Sequence, residues 1–281
     1  MIIDIHTHIF PQEIAKKALD KLSLASASAP FTDGTLEGLR RSMKDAAVDL
    51  SVILPVATNA HQVEGINDFA AELNESFGEK ELLSFASIHP DFPHVRQELS
   101  RIRSLGFRGI KIHPVYQDTE LDDIRYLRIF ERAAELGLIV LTHAGLDIGF
   151  PGVVRCSPEM ARHAVDTVGE FPFVLAHMGG WKNWDEVPRQ LADTRVYVDT
   201  SFSIGCRTPL GAPQKRVMLM EQKQTMDIIH SLGADRILFG SDSPWSSPRE
   251  SIEALRDLPI SKDEQTKILG GNAQDLLGCC I

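Results

Sequence analysis

The stretch Arg132–Gly145, RAAELGLIVLTHAG, carries the reading of the fold. An amphipathic segment runs into Gly137, which fits the left-handed position that ends a helix. A short, apolar, branched run follows, as expected of a strand buried on both faces. The same unit recurs at residues 42–57 (SMKDAAVDLSVILPVA), 101–114 (RIRSLGFRGIKIHP), 164–180 (AVDTVGEFPFVLAHMGG) and 228–245 (IIHSLGADRILFGSDSPW). Counting such runs predicts eight strands, at 2–8, 51–56, 83–88, 108–113, 138–143, 172–177, 195–200 and 236–241. Helical spacing fills the intervals. Leu36, Leu39 and Met43 share one face, as do Ile66, Phe69, Leu73 and Phe77, and Val95, Leu99, Ile102 and Leu105. Eight alternations of strand and helix predict an α/β chain forming one (β/α)8 barrel domain over residues 1–281. A doubly wound open sheet would need a Gly-rich phosphate loop after its first strand, and residues 4–13, DIHTHIFPQE, offer none.

Composition narrows the function classes. The 281 residues are 43% hydrophobic, enough for a sizeable core, and carry a formal charge of −10. Nucleic-acid binding wants a basic face, so no such partner is expected. The opening apolar run is short and interrupted by Asp4 and two histidines, unlike a signal peptide. No apolar run approaches membrane-spanning length. Cys156, Cys206, Cys279 and Cys280 have neither disulfide nor zinc-knuckle spacing, which fits free thiols in a reducing, cytoplasmic setting.

The histidines point to chemistry. In a strand alternate side chains share a face, so Asp4, His6 and His8 are expected on one face and Ile3, Ile5 and Thr7 on the other. Two imidazoles so placed converge on one ion. Of ten histidines, His6, His8, His89, His113, His143 and His177 fall at or beside predicted strand ends, the end of a barrel that carries active sites. Asp242, in FGSDSPW, joins them after the eighth strand. Neutral imidazoles with a carboxylate and no thiolate suit a divalent ion such as Zn, Mn, Fe or Ni in an open site. Asp4 either orients an imidazole from below or makes a structural bond.

These motifs together resemble the amidohydrolase superfamily, in particular its amidohydrolase-2 branch. That branch holds aminocarboxymuconate semialdehyde decarboxylase and other aryl-acid decarboxylases beside metal-dependent hydrolases. The resemblance spans the chain: DIHTH at strand one, GIKIHP at four, LTHAG at five, LAHMGG at six, FGSDSPW at eight, and GGNAQDLLG near the C-terminus. It implies His6, His8, His143 and Asp242 as ligands of one divalent ion, zinc first, with Asp242 also acting on protons. It implies that His177 polarises the substrate or positions water. Binuclear relatives bridge two ions with a carboxylated lysine, so Lys111 is a candidate for that role or for pairing with an acid. His113 is a candidate partner of a ligand or of substrate. Asn272 is read as a structural contact.

Trp181, Trp184 and Trp245 follow strands six and eight and are placed to line a pocket mouth. Arg155 and Arg207 lie in the longest loops, where either can clamp a carboxylate. The expected partner is a small molecule, with homodimerisation common in the branch. Three functions are weighed. The first is hydrolysis of a small amide, lactone or ester by a metal-activated water, which a short chain with a modest loop after strand one favours. The second is non-oxidative decarboxylation of an unsaturated or aromatic acid, which an arginine in the pocket would favour and an apolar pocket disfavour. The third, a non-catalytic metal-binding scaffold, fits poorly because every chemical position is filled.

Overall fold

The computed structural model describes residues 1–78 and 81–278; Cys279 and Cys280 lie outside the described residues. Each of the eight predicted runs overlaps a strand: β1 Ile3–Thr7, β2 Leu50–Ile53, β3 Leu82–Ser84 continuing as Ala86–Ser87, β4 Gly109–Ile112, β5 Ile139–Thr142, β6 Phe173–Leu175, β7 Tyr197–Asp199 and β8 Ile237–Leu238. All neighbouring pairs run parallel, in sequence order. The two halves of β3 pair with different neighbours, the first with β2 and the second with β4. Across the break, Phe85 N donates to Ile53 O at 2.9 Å. The ring closes where Ile5 N donates to Phe239 O at 2.9 Å and Thr7 bridges Ser243. The fold is a (β/α)8 barrel.

Two apolar layers hold it together. Ile3, Ile5, Val52, Phe85, Leu141 and Val174 fill the barrel interior. Ile53, Ile110, Ile112, Val140 and Phe173 pack outward against the helices. The helix ends follow the sequence logic. Gly137 closes α5 (Ile124–Leu136) in the left-handed conformation at φ 63°. In the 42–57 unit Ala47 stands where three of the other units carry Gly, and it adopts the same conformation at φ 55°. The predicted face of α4 (Val95–Ser104) buries Leu99 and Ile102 but leaves Leu105, just past the helix end, exposed. The face expected on α3 (Val63–Phe77) is only partly covered: Leu73 is buried, while Phe69 is 37% exposed.

The connection after β1 differs most from expectation. It is not a modest loop. It holds α1 (Gln12–Ser26) before α2 (Leu36–Ala46), and α1 buries Ala15, Leu19 and Ser23 on one face. Its C-terminal end is tied to the loop after β7: Ala29 N donates to Thr208 O at 2.8 Å and Leu210 N to Ala27 O at 2.9 Å.

One glycine in the wall admits no side chain. A Cβ on Gly109 would stand 2.6 Å from both Ile139 O and the Phe85 ring. Gly109→Ala is expected to lower stability by about 1–3 kcal/mol, the usual cost of overpacking a filled core. The midpoint of urea unfolding, compared with wild type, measures it.

Candidate metal centre and active-site cavity

The site begins with an irregularity in β1. Its register against β2 shifts between Asp4 and Thr7, as at a β-bulge. Strict alternation therefore fails here. Ile5 belongs to the barrel interior, and so does its successor His6, which faces Lys111 and Asp199. Asp4, for which orienting an imidazole and making a structural bond were both open, makes the structural bond and ties β1 to the segment after β8. It accepts from Ser241 Oγ at 2.5 Å, Ser241 N at 2.9 Å and His6 N at 3.2 Å, and touches neither ring. Burial pushes its carboxyl up to about 7.

His6, His8 and Asp242 converge. His6 Nε2 lies 3.2 Å from His8 Nε2 and 3.5 Å from Asp242 Oδ1, and His8 Nε2 lies 3.3 Å from the same oxygen. The hydrogen bonds fix what these atoms offer. His8 Nδ1 donates to Leu54 O at 2.8 Å, and a carbonyl only accepts, so Nε2 presents a lone pair. His6 Nδ1 donates to Asp199 Oδ2 at 2.8 Å, which leaves its Nε2 bare as well. Two lone pairs and a carboxylate oxygen thus face one another, an arrangement that only a cation relieves. The spacing fits one too. Ligand bonds of about 2.0–2.1 Å in a tetrahedral set place ligand atoms about 3.3 Å apart. Burial, then the charge of Lys111, holds His6 well below its ordinary pKa, so it stays neutral as a ligand must. Burial works against the charge on Asp242, but the imidazoles of His8, His6 and His177 around it outweigh that cost and its pKa falls.

Asp199 is the organising group that motif reading missed. Besides holding His6, it accepts from His177 N and Ser201 N at 3.0 Å each and from Ser201 Oγ. It ends β7, on the rim where the histidines lie, so the strand-end logic that found them was sufficient to find it. Lys111 Nζ stands 3.2 Å from His6 Nε2, and burial lowers its pKa to about 8.

His143, expected as a ligand beside His6 and His8, is placed differently. Its Nε2 donates to Leu146 O at 3.1 Å, in its own loop, and its Nδ1 lies 3.0 Å from His177 Nε2. It converges instead with His113 and Asp147, a second group of donors. Its ring stacks on that of His113 at 4.2 Å, and His113 Nε2 lies 3.4 Å from Asp147 Oδ2. Lys111, a candidate either to bridge two ions or to pair with an acid, stands beside the first group through its contact with His6. His177 faces acceptors on both nitrogens, Ser201 O at 2.9 Å through Nδ1 and the bare Nδ1 of His143 through Nε2. Trp184 Nε1 donates to His177 O at 2.9 Å. His177 (φ 59°) and Asp242 (φ 63°) both adopt the left-handed backbone region, uncommon for residues with side chains and concentrated at functional sites.

Above these residues opens a cavity of about 660 Å³. Trp181 and Trp245 line it, as expected, while Trp184 is buried beneath. Neither arginine does. Arg155 pairs with Asp118 at 2.5 Å, and Arg207 holds Ala27 O and Ser28 Oγ at 3.3 and 3.2 Å. Both brace loops, which is why they point away. Among the described residues Lys111 is the only Lys or Arg in the lining. His89 sits at the rim and accepts from Asp91 N at 3.1 Å. Asn272 bonds Ala234 O and Ile237 O at 2.7 Å each, a structural tie to β8. Among the described residues no helix is long and apolar enough to cross a membrane.

Comparison with known proteins agrees with this architecture. A decarboxylase of Emericella nidulans is 23% identical over 90% of this chain and 87% of its own length. The 5-carboxyvanillate decarboxylase of Sphingomonas paucimobilis superposes with a TM-score of 0.70 at 16% identity, covering 99% of both chains. A dihydroxybenzoic acid decarboxylase of Polaromonas sp., with bound manganese and the inhibitor 2-nitroresorcinol, gives 0.68 at 15% identity over 99% and 96%. The profile of the Amidohydrolase family matches residues 3–279. With that match running from β1 to the C-terminal helix, and imidazoles and a carboxylate gathered on one barrel rim, the chain belongs to the amidohydrolase family of enzymes.

Proposed function

We propose that this enzyme is a metal-dependent, non-oxidative decarboxylase of a small aromatic or unsaturated acid. The decarboxylase relative that aligns over 90% of the chain carries this reading over hydrolysis. The apolar pocket runs against an arginine clamp but not against an acid, because an ion and Lys111 supply the positive charge a carboxylate needs. Hydrolysis of a lactone, amide or ester is the displaced reading.

His6, His8 and Asp242 are the residues that would hold a divalent ion, zinc or manganese by donor type. The ion supplies Lewis-acid polarisation of the acid's oxygens. The chain's own groups do the rest. Lys111 offers its ammonium to the carboxylate from the barrel floor. His177 holds a proton between Ser201 O and His143, and the Asp242 carboxylate beside the same centre accepts or returns one. The net change is balanced: the bond from carbon to carboxylate breaks, carbon dioxide leaves, and the proton held by His177 takes its place on carbon. The mostly apolar walls keep water from competing for that proton.

Incubation of Mn(II)- or Zn(II)-loaded protein with a panel of hydroxybenzoates and unsaturated acids in D₂O tests this. Equal yields of carbon dioxide and of product deuterated at the vacated carbon are expected. Acid production from lactones or esters, with no carbon dioxide from any acid, would restore the hydrolase reading. Lys111→Met is expected to raise KM for the acid about tenfold or more, the scale of one charge-assisted contact of 1.5–3 kcal/mol. It is also expected to tighten divalent-ion binding, because it removes a competing positive charge from beside His6. Steady-state kinetics and calorimetric titration with Mn(II) check the two effects separately.

A further inference from the structure

The cavity is too large and too apolar at one end for the chemistry at the other. His6, His8 and Asp242 line it on the inner rim of the barrel. It is also lined by Ile53, Ala70 and Leu73, which belong to the layer between the barrel wall and α3. The space therefore crosses over the wall at β2. Its outer cover is α1, which lines it with Ile14, Ala18, Leu22 and Ala25. Those four recur at helical spacing beside the face that α1 buries against the body. From the other side Ile66, Phe69, Ala70 and Leu73 of α3 form a matching stripe. The stripes are not fully covered: Ile14 is 50% exposed and Phe69 37%.

At about 660 Å³ the cavity holds roughly the volume of twenty liquid waters, about twice what a one-ring acid of some ten heavy atoms fills. Exposed apolar faces that continue out of a polar site mark a ligand-binding groove. The groove is a fixed wall, because α1 is tied at its end through Ala27 and Ala29 to the loop after β7.

We infer that the substrate carries an apolar substituent, alkyl or aryl, that leaves the reacting head group at the metal-donor triad and lies between α1 and α3 against Ile53. That the head group is an acid rests on the decarboxylase reading; the apolar tail rests on the cavity alone.

The test separates the two. Binding of the n-alkanoates from butanoate to decanoate to Mn(II)-loaded protein is measured by calorimetry. Affinity is expected to tighten about threefold to fourfold with each methylene until the annex is filled. Ala18→Phe, which fills the annex, is expected to collapse that slope, and Leu22→Asn to flatten it without filling space; circular dichroism confirms folding of each. In parallel, 2,6-dihydroxybenzoate and its 4-pentyl derivative are assayed for carbon dioxide. A higher kcat/KM for the pentyl acid, lost in Ala18→Phe, supports the whole inference. A flat alkanoate series, or a slope unchanged in both variants, overturns the tail. A steep series with no carbon dioxide from any acid keeps the tail and removes the decarboxylase reading.

Discussion

His6→Ala/His8→Ala purified without chelator is expected to contain almost no divalent metal, and wild type about one ion per chain. The pair supplies two of the three convergent donors, with Nε2 atoms 3.2 Å apart, and among the described residues Lys111 is the cationic side chain in contact with them, through His6. Losing even an outer hydrogen-bond partner of a ligand costs roughly 10–100-fold in affinity, so losing two ligands costs at least about 10⁴-fold. If polarisation by the ion contributes about 4 kcal/mol, turnover falls about 10³-fold or more. Elemental analysis reads the first effect and the rate of carbon dioxide release the second. Undiminished metal in the double variant would move the ion to His113, His143 and Asp147, and the assignment of the first triad would fail. Two ions in wild type falling to one would give each group its own.

Asp199→Asn is expected to have the next largest effect, although Asp199 lies behind His6 and is not one of the three convergent donors. Its Oδ2 fixes the proton of His6 on Nδ1. An Asn that keeps the Oδ1 contacts to His177 N and Ser201 turns an amide N–H toward that nitrogen. Two donors cannot face each other, so the His6 proton moves to Nε2 and covers the lone pair the ion needs. Metal affinity is expected to fall about 10–100-fold, and nitrogen-15 NMR of the imidazoles should show His6 changing tautomer. An unchanged tautomer with weakened metal would assign Asp199 only a structural role. Excess metal is expected to restore occupancy but not full activity, because the same carboxylate also positions His177.

Much of this was legible in the sequence because it depends on local pattern. Apolar runs beyond helix-ending residues located eight strands, since a strand covered on both faces must be apolar nearly throughout. Histidines at the ends of those runs located the rim, because strand ends share one end of the barrel. The less visible features depend on where one element meets another. The bulge that turns His6 inward and frees Asp4 to bind Ser241 breaks the period-two rule that sequence reading assumes. Arg155 and Arg207 had the right chemistry in the right loops, but nearby carboxylate and carbonyl oxygens claimed them first.

By itself, then, the sequence determined the barrel, its active end, and the residue types available there, because strand burial and strand ends are written in hydrophobic period. Only the tertiary structure decided which donors meet. That separates His6, His8 and Asp242 from His113, His143 and Asp147, and sets Asp199 behind His6. It also decided the size and apolarity of the cavity, because α1 and α3 are far apart in sequence and their facing stripes become one groove only when the chain is folded.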